Sequence, residues 1–281
     1  MKESEITDKL ISQGAEIYLG HRAKNIAGAD LVVYSSAVSL DNPEITAAEE
    51  NGVPTASRAE VLGALMKEYE HSIAIAGTHG KTTTTSMVSL ILENVGKDPT
   101  ILVGGNLQEI NGNVKVGRSG YFVTEACEYM DSFLNLSPKI EIILNIDSDH
   151  LDYFKDIEHI ASSFDQFANL VPDNGTVIAY DANPFVKSII GELKSNVVTF
   201  GFSERCDFYA SDIEFNNSGM PSFKLNHSGE VLCTMQLAIP GEHNIANALA
   251  AFACCYGLGI PVSSIVSTLE SYNGTQRRVD V

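Results

Sequence analysis

The apolar positions of the chain fall into short continuous runs, separated by stretches of helical spacing. Residues 73–76 form such a run, Ile-Ala-Ile-Ala, and read as a buried strand. Past a glycine turn the spacing becomes helical, with Met87 to Leu92 on good helix formers and Gly96 beyond the end near Asn94. Before this pair, the pattern predicts a helix over 5–13 closed by Gly14, strands over 16–19 and 31–34, and a helix opening at Asp41-Asn42-Pro43 and ending at Gly52. Ser57-Arg58-Ala59-Glu60 has the form of a capping box and opens a helix to about residue 69. After it come strands over 101–103, 121–125 and 140–146, an amphipathic helix over 157–170, a turn at Pro172-Asp173-Asn174-Gly175, and strands over 176–179 and 197–200 around a helix from Pro184. Runs over 208–215, 222–225 and 231–237 read as antiparallel strands with a hairpin turn over 226–229. An Ala-rich helix follows Pro240-Gly241-Glu242, and a last helix follows Pro261.

Alternating strands and helices predict parallel α/β structure. At 281 residues the chain divides into two expected domains, 1–70 and 71–281. The second is expected to hold a mostly parallel sheet and a smaller antiparallel sheet. Residues 101–103 run into Gly104-Gly105-Asn106, and strands 121–125 and 140–146 end in acidic or polar residues. In open α/β sheets, sites gather beyond the carboxyl ends of strands.

Composition narrows the function classes. The formal net charge is −18, which opposes a nucleic-acid partner, since a polyanion would be repelled. An anionic ligand must then be held by local devices. The five cysteines (127, 206, 233, 254 and 255) have no zinc-site spacing and are expected to be reduced, in the cytoplasm. Residues 2–9 are charged and lack the apolar core of a signal peptide. The longest apolar run, 245–262, is broken by Asn247, Gly257, Gly259 and Pro261, and suits a buried helix and its turn better than a membrane span.

The sharpest candidate chemistry lies in Gly77-Thr78-His79-Gly80-Lys81-Thr82-Thr83. Strand, glycine turn, Lys-Thr and helix is the layout of a phosphate-binding loop. The glycines let backbone N–H groups approach an anion, and the helix adds its positive end. Lys81 would reach outer phosphates and the Thr82 hydroxyl a Mg²⁺. Only two residues separate the glycines, against the usual four. The plain alternative is an ordinary strand-to-helix turn.

Other candidates are weaker alone. Glu125, at a strand end, offers a hard carboxylate for a metal between phosphates, or is a common strand-end acid. Glu128 reads as a solvated or structural acid, or as one that orients substrate. Asp147, Asp149 and His150 can position a metal or an attacking group, or serve in capping. Asn244 and Asn247 share a helix face and can read the edge of a base, or act as a cap and a buried amide. Arg277-Arg278 suits phosphate neutralisation, or is a solvated pair.

Together these segments occur in one order: Gly77 to Thr83, Glu125-Ala126-Cys127-Glu128-Tyr129, Asn145 through His150 to Phe154, Pro240 through His243 and Asn244 to Asn247, and Gln276-Arg277-Arg278. In this the chain resembles the Mur ligase family over essentially its whole length, and within it the members that add L-alanine to UDP-N-acetylmuramate. The resemblance implies a partial Rossmann-like UDP-sugar-binding domain (1–70) and a central P-loop ATPase domain (71–281). It implies ATP and Mg²⁺ as cofactors. ATP would phosphorylate the muramate carboxylate, and the alanine amine would attack the acyl phosphate. By the same resemblance, Lys81 contacts the outer phosphates, Thr82 and Glu125 hold one Mg²⁺, and His150 serves a second. His243, Asn244 and Asn247 face the adenine, Arg278 reaches the phosphates, and Ser35-Ser36-Ala37 lies where the family binds uridine diphosphate.

Several later-acting members carry a carbamylated lysine in the helix after the Asp-His motif. No lysine lies between Lys155 and Lys187, which fits the alanine-adding members. Family members also open on a strand and glycine-rich turn and close with an amino-acid-binding domain. The chain shows neither, so it is expected to be a fragment with little or no ligase activity of its own. A recycling ligase for a cell-wall tripeptide, another ligase of the glutamate-adding folate type and a non-catalytic nucleotide-binding fragment stand as alternatives.

Overall fold

The structure, a computed structural model, describes residues 5–275. The chain forms two compact units, divided between Leu62 and Gly63. In the first, α1 (Glu5–Ser12) is followed by β1 (Val32–Tyr34), α2 (Pro43–Glu50), β2 (Thr55–Ser57) and α3 (Arg58–Met66), the last running on into the second unit. β1 and β2 pair in parallel, Val32 opposite Thr55, with α2 as the crossover. Asn42 caps α2 by accepting from the Glu44 N–H at 2.9 Å, and Pro43 takes the first turn. The capping box forms as expected: Ser57 N–H donates to Glu60 Oε2 (2.7 Å) and Glu60 N–H to Ser57 Oγ (3.2 Å). The strand expected over 16–19 is absent. Tyr18 and Leu19 are exposed, and no described strand pairs with them to satisfy their backbone groups.

The second unit is built on one ten-stranded sheet. Its strands are β3 (His71–Ala76), β4 (Thr100–Leu107), β5 (Gly112–Lys115), β6 (Tyr121–Glu125), β7 (Ile140–Ile143), β8 (Thr176–Tyr180), β9 (Asn196–Gly201), β10 (Phe208–Phe215), β11 (Pro221–His227) and β12 (Glu230–Gln236). Its helices are α4 (Lys81–Asn94), α5 (Ile157–Ala168), α6 (Pro184–Ile190), α7 (Glu242–Gly257) and α8 (Val262–Ser271). The spatial order is β12-β11-β10-β9-β8-β7-β3-β6-β4-β5. From β10 to β4 neighbours run parallel; β5 and the β10–β11–β12 meander are antiparallel. The expected antiparallel sheet is therefore the far edge of the large one, joined by a short parallel pairing of Phe208 with Phe200 and Tyr209 with Gly201.

β3 lies between β7 and β6, which explains its unbroken apolar run. Ile73, Ala74, Ile75 and Ala76 are wholly buried, as a strand covered on both faces requires. Ile73, Ile75, Val123 and Ile142 pack on one face with α4, α7 and α8, while Phe133, Phe164 and Phe167 form a separate aromatic layer. Burying each isoleucine contributes about 1.5–3 kcal/mol. The sheet order thereby sets the ends of β6, β3 and β7 side by side.

Two further differences concern β4 and β7. The strand expected over 101–103 runs on through Gly104-Gly105-Asn106 as β4, and β7 stops at Ile143. The first follows from Glu125: its Oε1 accepts the Gly104 N–H at 2.5 Å, and a Cβ on Gly104 would lie 2.7 Å from Oε2. Glycine serves here for close approach and not for a turn.

Candidate nucleotide site

The end of β3 passes through Gly77 to Gly80 into α4. Gly77 (φ 141°) and Gly80 (φ 90°) both occupy backbone conformations that side chains disfavour. A Cβ on Gly77 would sit 2.9 Å from Leu144 Cβ, and one on Gly80 would collide with the Asn247 carboxamide. α4 begins at Lys81 with no side-chain cap, so its first N–H groups and its positive end face the loop.

Asn145, beyond β7, clamps the loop. Its Oδ1 accepts from His79 N–H at 2.8 Å, and its Nδ2 donates to His79 O at 2.9 Å. Thr78 N–H donates to Asn145 O, and Asp147 N–H to Thr78 Oγ1 (2.9 Å). The β7 end thus fixes the β3 end. Asn145 opens a motif segment, yet its role could not be read locally, because its partners are backbone groups 66 residues away.

Two adjoining cavities meet at His79 and Gly80. One, of about 210 Å³, is lined by Thr78 to Thr83 and Thr275. The other, of about 430 Å³, has Leu144, Tyr180, Phe202, His243, Ala246 and Asn247 in its walls. A small polar cavity over a helix N-terminus beside a larger apolar one matches a phosphate chain joined to a base. Tyr180 and Phe202 lay outside the sequence-based expectations, since nothing in the local pattern marks them as pocket walls.

Of the two amides, Asn247 lines the larger cavity, whereas Asn244 stands behind it. Asn247 Nδ2 donates to Asn244 Oδ1 (3.1 Å), and Asn244 Nδ2 to Pro240 O (2.7 Å). The paired reading of a base edge is thus not the arrangement seen; Asn244 holds Asn247. His243 lies in the wall of the larger cavity.

Lys81 Nζ lies 2.5 Å from Gly77 O, 3.4 Å from Thr78 O, and 3.0 and 2.8 Å from the two Glu128 carboxylate oxygens. Glu128 is 2% exposed, which excludes the solvated reading and leaves the structural one. A buried carboxylate needs a partner, and the loop lysine is that partner. The Glu125-x-x-Glu128 spacing was the available signal.

Thr82 and Thr83 line the smaller cavity, and Glu125 stands at the end of β6. Among the described residues no three His, Cys, Asp or Glu side chains converge on one metal position. The oxygen donors of Thr82 and Glu125 nonetheless fit Mg²⁺, which takes few protein ligands and fills its shell with water and phosphate.

His150 sits in a tight turn at φ 52°. Ser148 N–H donates to Asp147 Oδ1 (2.8 Å) and His150 N–H to Asp149 Oδ1 (2.7 Å), so these aspartates shape the turn. They do not cap α5, whose cap is Asp156, accepting from His159 N–H. Tyr129 lies against the His150 ring at 4.9 Å and donates to Asp152, and that carboxylate raises the Tyr129 pKa. Tyr153 donates to Asp131 at 2.6 Å. Ser35, Ser36 and Ala37 lie in an exposed turn after β1. Arg277 and Arg278 fall outside the described residues.

Comparison with known proteins agrees with this architecture. Residues 75–255 match the Mur ligase middle domain, and residues 1–70 match the Mur ligase family, catalytic domain. The chain belongs to the Mur ligase family. It is 52% identical over 281 residues to the UDP-N-acetylmuramate–L-alanine ligase of Alkaliphilus metalliredigens, covering 100% of this chain and 61% of that protein. The enzyme of the same name from Clostridium tetani is 50% identical over 279 residues, with 99% and 61% covered. Among solved structures, UDP-N-acetylmuramate-alanine ligase from Thermotoga maritima superposes with a TM-score of 0.83 at 30% identity, over 99% of this chain and 63% of that one. A UDP-N-acetylmuramate:L-alanyl-gamma-D-glutamyl-meso-diaminopimelate ligase from Neisseria meningitides superposes at 0.87 with 25% identity, over 99% and 90%. The chain spans about 61% of the length of the curated relatives described.

Proposed function

We propose that the chain carries the ATP-activating part of a ligase that joins L-alanine to UDP-N-acetylmuramate through an acyl phosphate. The observation that carries this reading is the pair of adjoining cavities at the Gly77–Thr83 loop, in a chain 52% identical to an enzyme of that name. The adenine takes the apolar cavity between Tyr180, Phe202 and Asn247. The phosphates take the smaller one, under the N–H groups at the start of α4. Thr82 and Glu125 would hold one Mg²⁺ and His150 would serve a second, and the metal would supply charge neutralisation for phosphoryl transfer. Lys81 neutralises the outer phosphates, and Arg278 joins from beyond the described segment. Ser35, Ser36 and Ala37 face the uridine diphosphate. ATP and a UDP-sugar as substrates place the reaction in the cytoplasm. No described helix is long and apolar enough to cross a membrane.

The tripeptide-recycling reading rests on the Neisseria structure, whose identity is 25% against 52% for the alanine-adding relative. Two measurements test the proposal. Titration with MgATP is expected to show binding that Lys81→Ala weakens by tenfold or more, on the order of one lost charge-assisted contact. In a protein as long as the relatives, ADP release is expected to require both UDP-N-acetylmuramate and L-alanine. Release supported equally by the tripeptide would overturn the choice of amine.

A further inference from the structure

The Lys81 ammonium has three N–H groups, and the structure gives it four oxygen acceptors: Gly77 O, Thr78 O and both oxygens of Glu128. An outer phosphate can engage this ammonium only by displacing one of them. The two carbonyls belong to the loop that cradles the phosphate, so they move with it. Glu128 belongs to a different segment, beyond the end of β6, and contributes a full opposing charge.

The two partners are not equally free to move. The Lys81 stem has four rotatable carbons. Glu128 is pinned. Asp131 N–H donates to Glu128 O at 3.0 Å, and Phe133 N–H to the preceding Cys127 O at 3.0 Å. Met130 and Asp131 follow at φ 53° and 52°, a strained pair. Phe133 is locked against Phe167, with ring centroids 4.4 Å apart. The lysine therefore leaves the carboxylate, and not the reverse.

We propose that Glu128 parks Lys81 away from the phosphates, so that nucleotide binds by exchange: the outer phosphate takes the ammonium from a buried carboxylate. The contact is autoinhibitory. It lowers affinity for the nucleotide, before and after phosphoryl transfer, and so speeds the departure of the spent nucleotide. This rests on the loop being an ATP site. A carboxylate that served only to shape the loop would have the opposite effect when neutralised, since a misshapen loop binds less well.

The sign of the change decides. Titrate MgATP and ADP into the parent chain, Glu128→Gln and Glu128→Asp, with thermal melting to confirm folding. Glu128→Gln removes the competing charge at nearly constant shape and is expected to bind both nucleotides about fivefold or more tightly, with slower ADP release. Glu128→Asp keeps the charge but withdraws it by one methylene, and is expected to tighten binding by a smaller factor. Unchanged or weaker binding in folded Glu128→Gln overturns the proposal. Should that variant fail to fold, unchanged or weaker binding in Glu128→Asp overturns it. A parent chain that binds neither nucleotide overturns the ATP-site reading itself, whereas binding by the parent with no tightening in either variant overturns only the exchange.

Discussion

Glu141 sits mid-strand on β7, opposite Ala74 and Val177, on the face away from Ile140 and Ile142. It is wholly buried, and neither carboxyl oxygen has a hydrogen-bond partner among the described residues. Burial raises its pKa well above the ordinary 4.5. The folded state thus keeps a proton that the unfolded chain releases, and stability falls as pH rises from the unfolded value toward the raised folded one. The slope from one such group is at most about 1.4 kcal/mol per pH unit. Glu141→Gln is expected to flatten that slope and to be the more stable protein at pH 8, as urea unfolding at pH 5, 6.5 and 8 will show. Equal slopes for parent and variant would mean that Glu141 finds a partner for its charge. Gly80 is constrained differently. With φ at 90° and Asn247 in the way of a Cβ, Gly80→Ala is expected to cost about 1–3 kcal/mol of stability and to weaken MgATP binding at least tenfold, by melting and titration.

At the scale of elements, the close pairing of β4 with the Glu125 carboxylate makes Gly104 a part of the site. Gly104→Ala would push a methyl group into the Glu125 oxygens and move the carboxylate from its place at the end of β6. Its expected signature is a weakened Mg²⁺ dependence of ATP binding with the metal-free binding kept; equal loss of both would assign Gly104 to packing alone. This role could not be read from Gly104-Gly105-Asn106, because glycine, glycine and asparagine in a row also spell a turn. What settles the matter is Glu125, 21 residues on, accepting the Gly104 N–H. By contrast, the loop from Gly77 to Thr83 was legible because strand, glycines and helix are adjacent, so the pattern is local. The capping box at Ser57 was legible for the same reason. Residues 16–19 carried strand-like composition, yet a strand exists only where another edge meets it. Whether Glu128 is solvated or structural could not be read from the sequence, because burial is decided by neighbours from other segments, here Lys81. The Asn244–Asn247 pair was correctly placed on one helix face, but face alone does not say which amide meets the cavity and which one braces it.

The whole molecule sets a field against the nucleotide proposed for it. A formal charge of −18 surrounds a loop whose described cation, Lys81, is paired with Glu128. At long range an approaching MgATP, itself an anion, meets repulsion; at contact it meets the N–H groups and positive end of α4. The two contributions differ in range, and salt separates them. The Debye length shrinks from about 30 Å at 0.01 M to about 8 Å at 0.15 M, which removes most of the long-range repulsion while the contacts inside the cavity are screened far less. The association rate of MgATP is therefore expected to rise about two- to threefold over that range of salt, opposite to the behaviour of an electrostatically steered pair. Stopped-flow measurement with a fluorescent ATP analogue at four salt concentrations gives the sign directly. A rate that falls with salt would mean that the local field of the loop extends beyond the cavity mouth and outweighs the acidic surface.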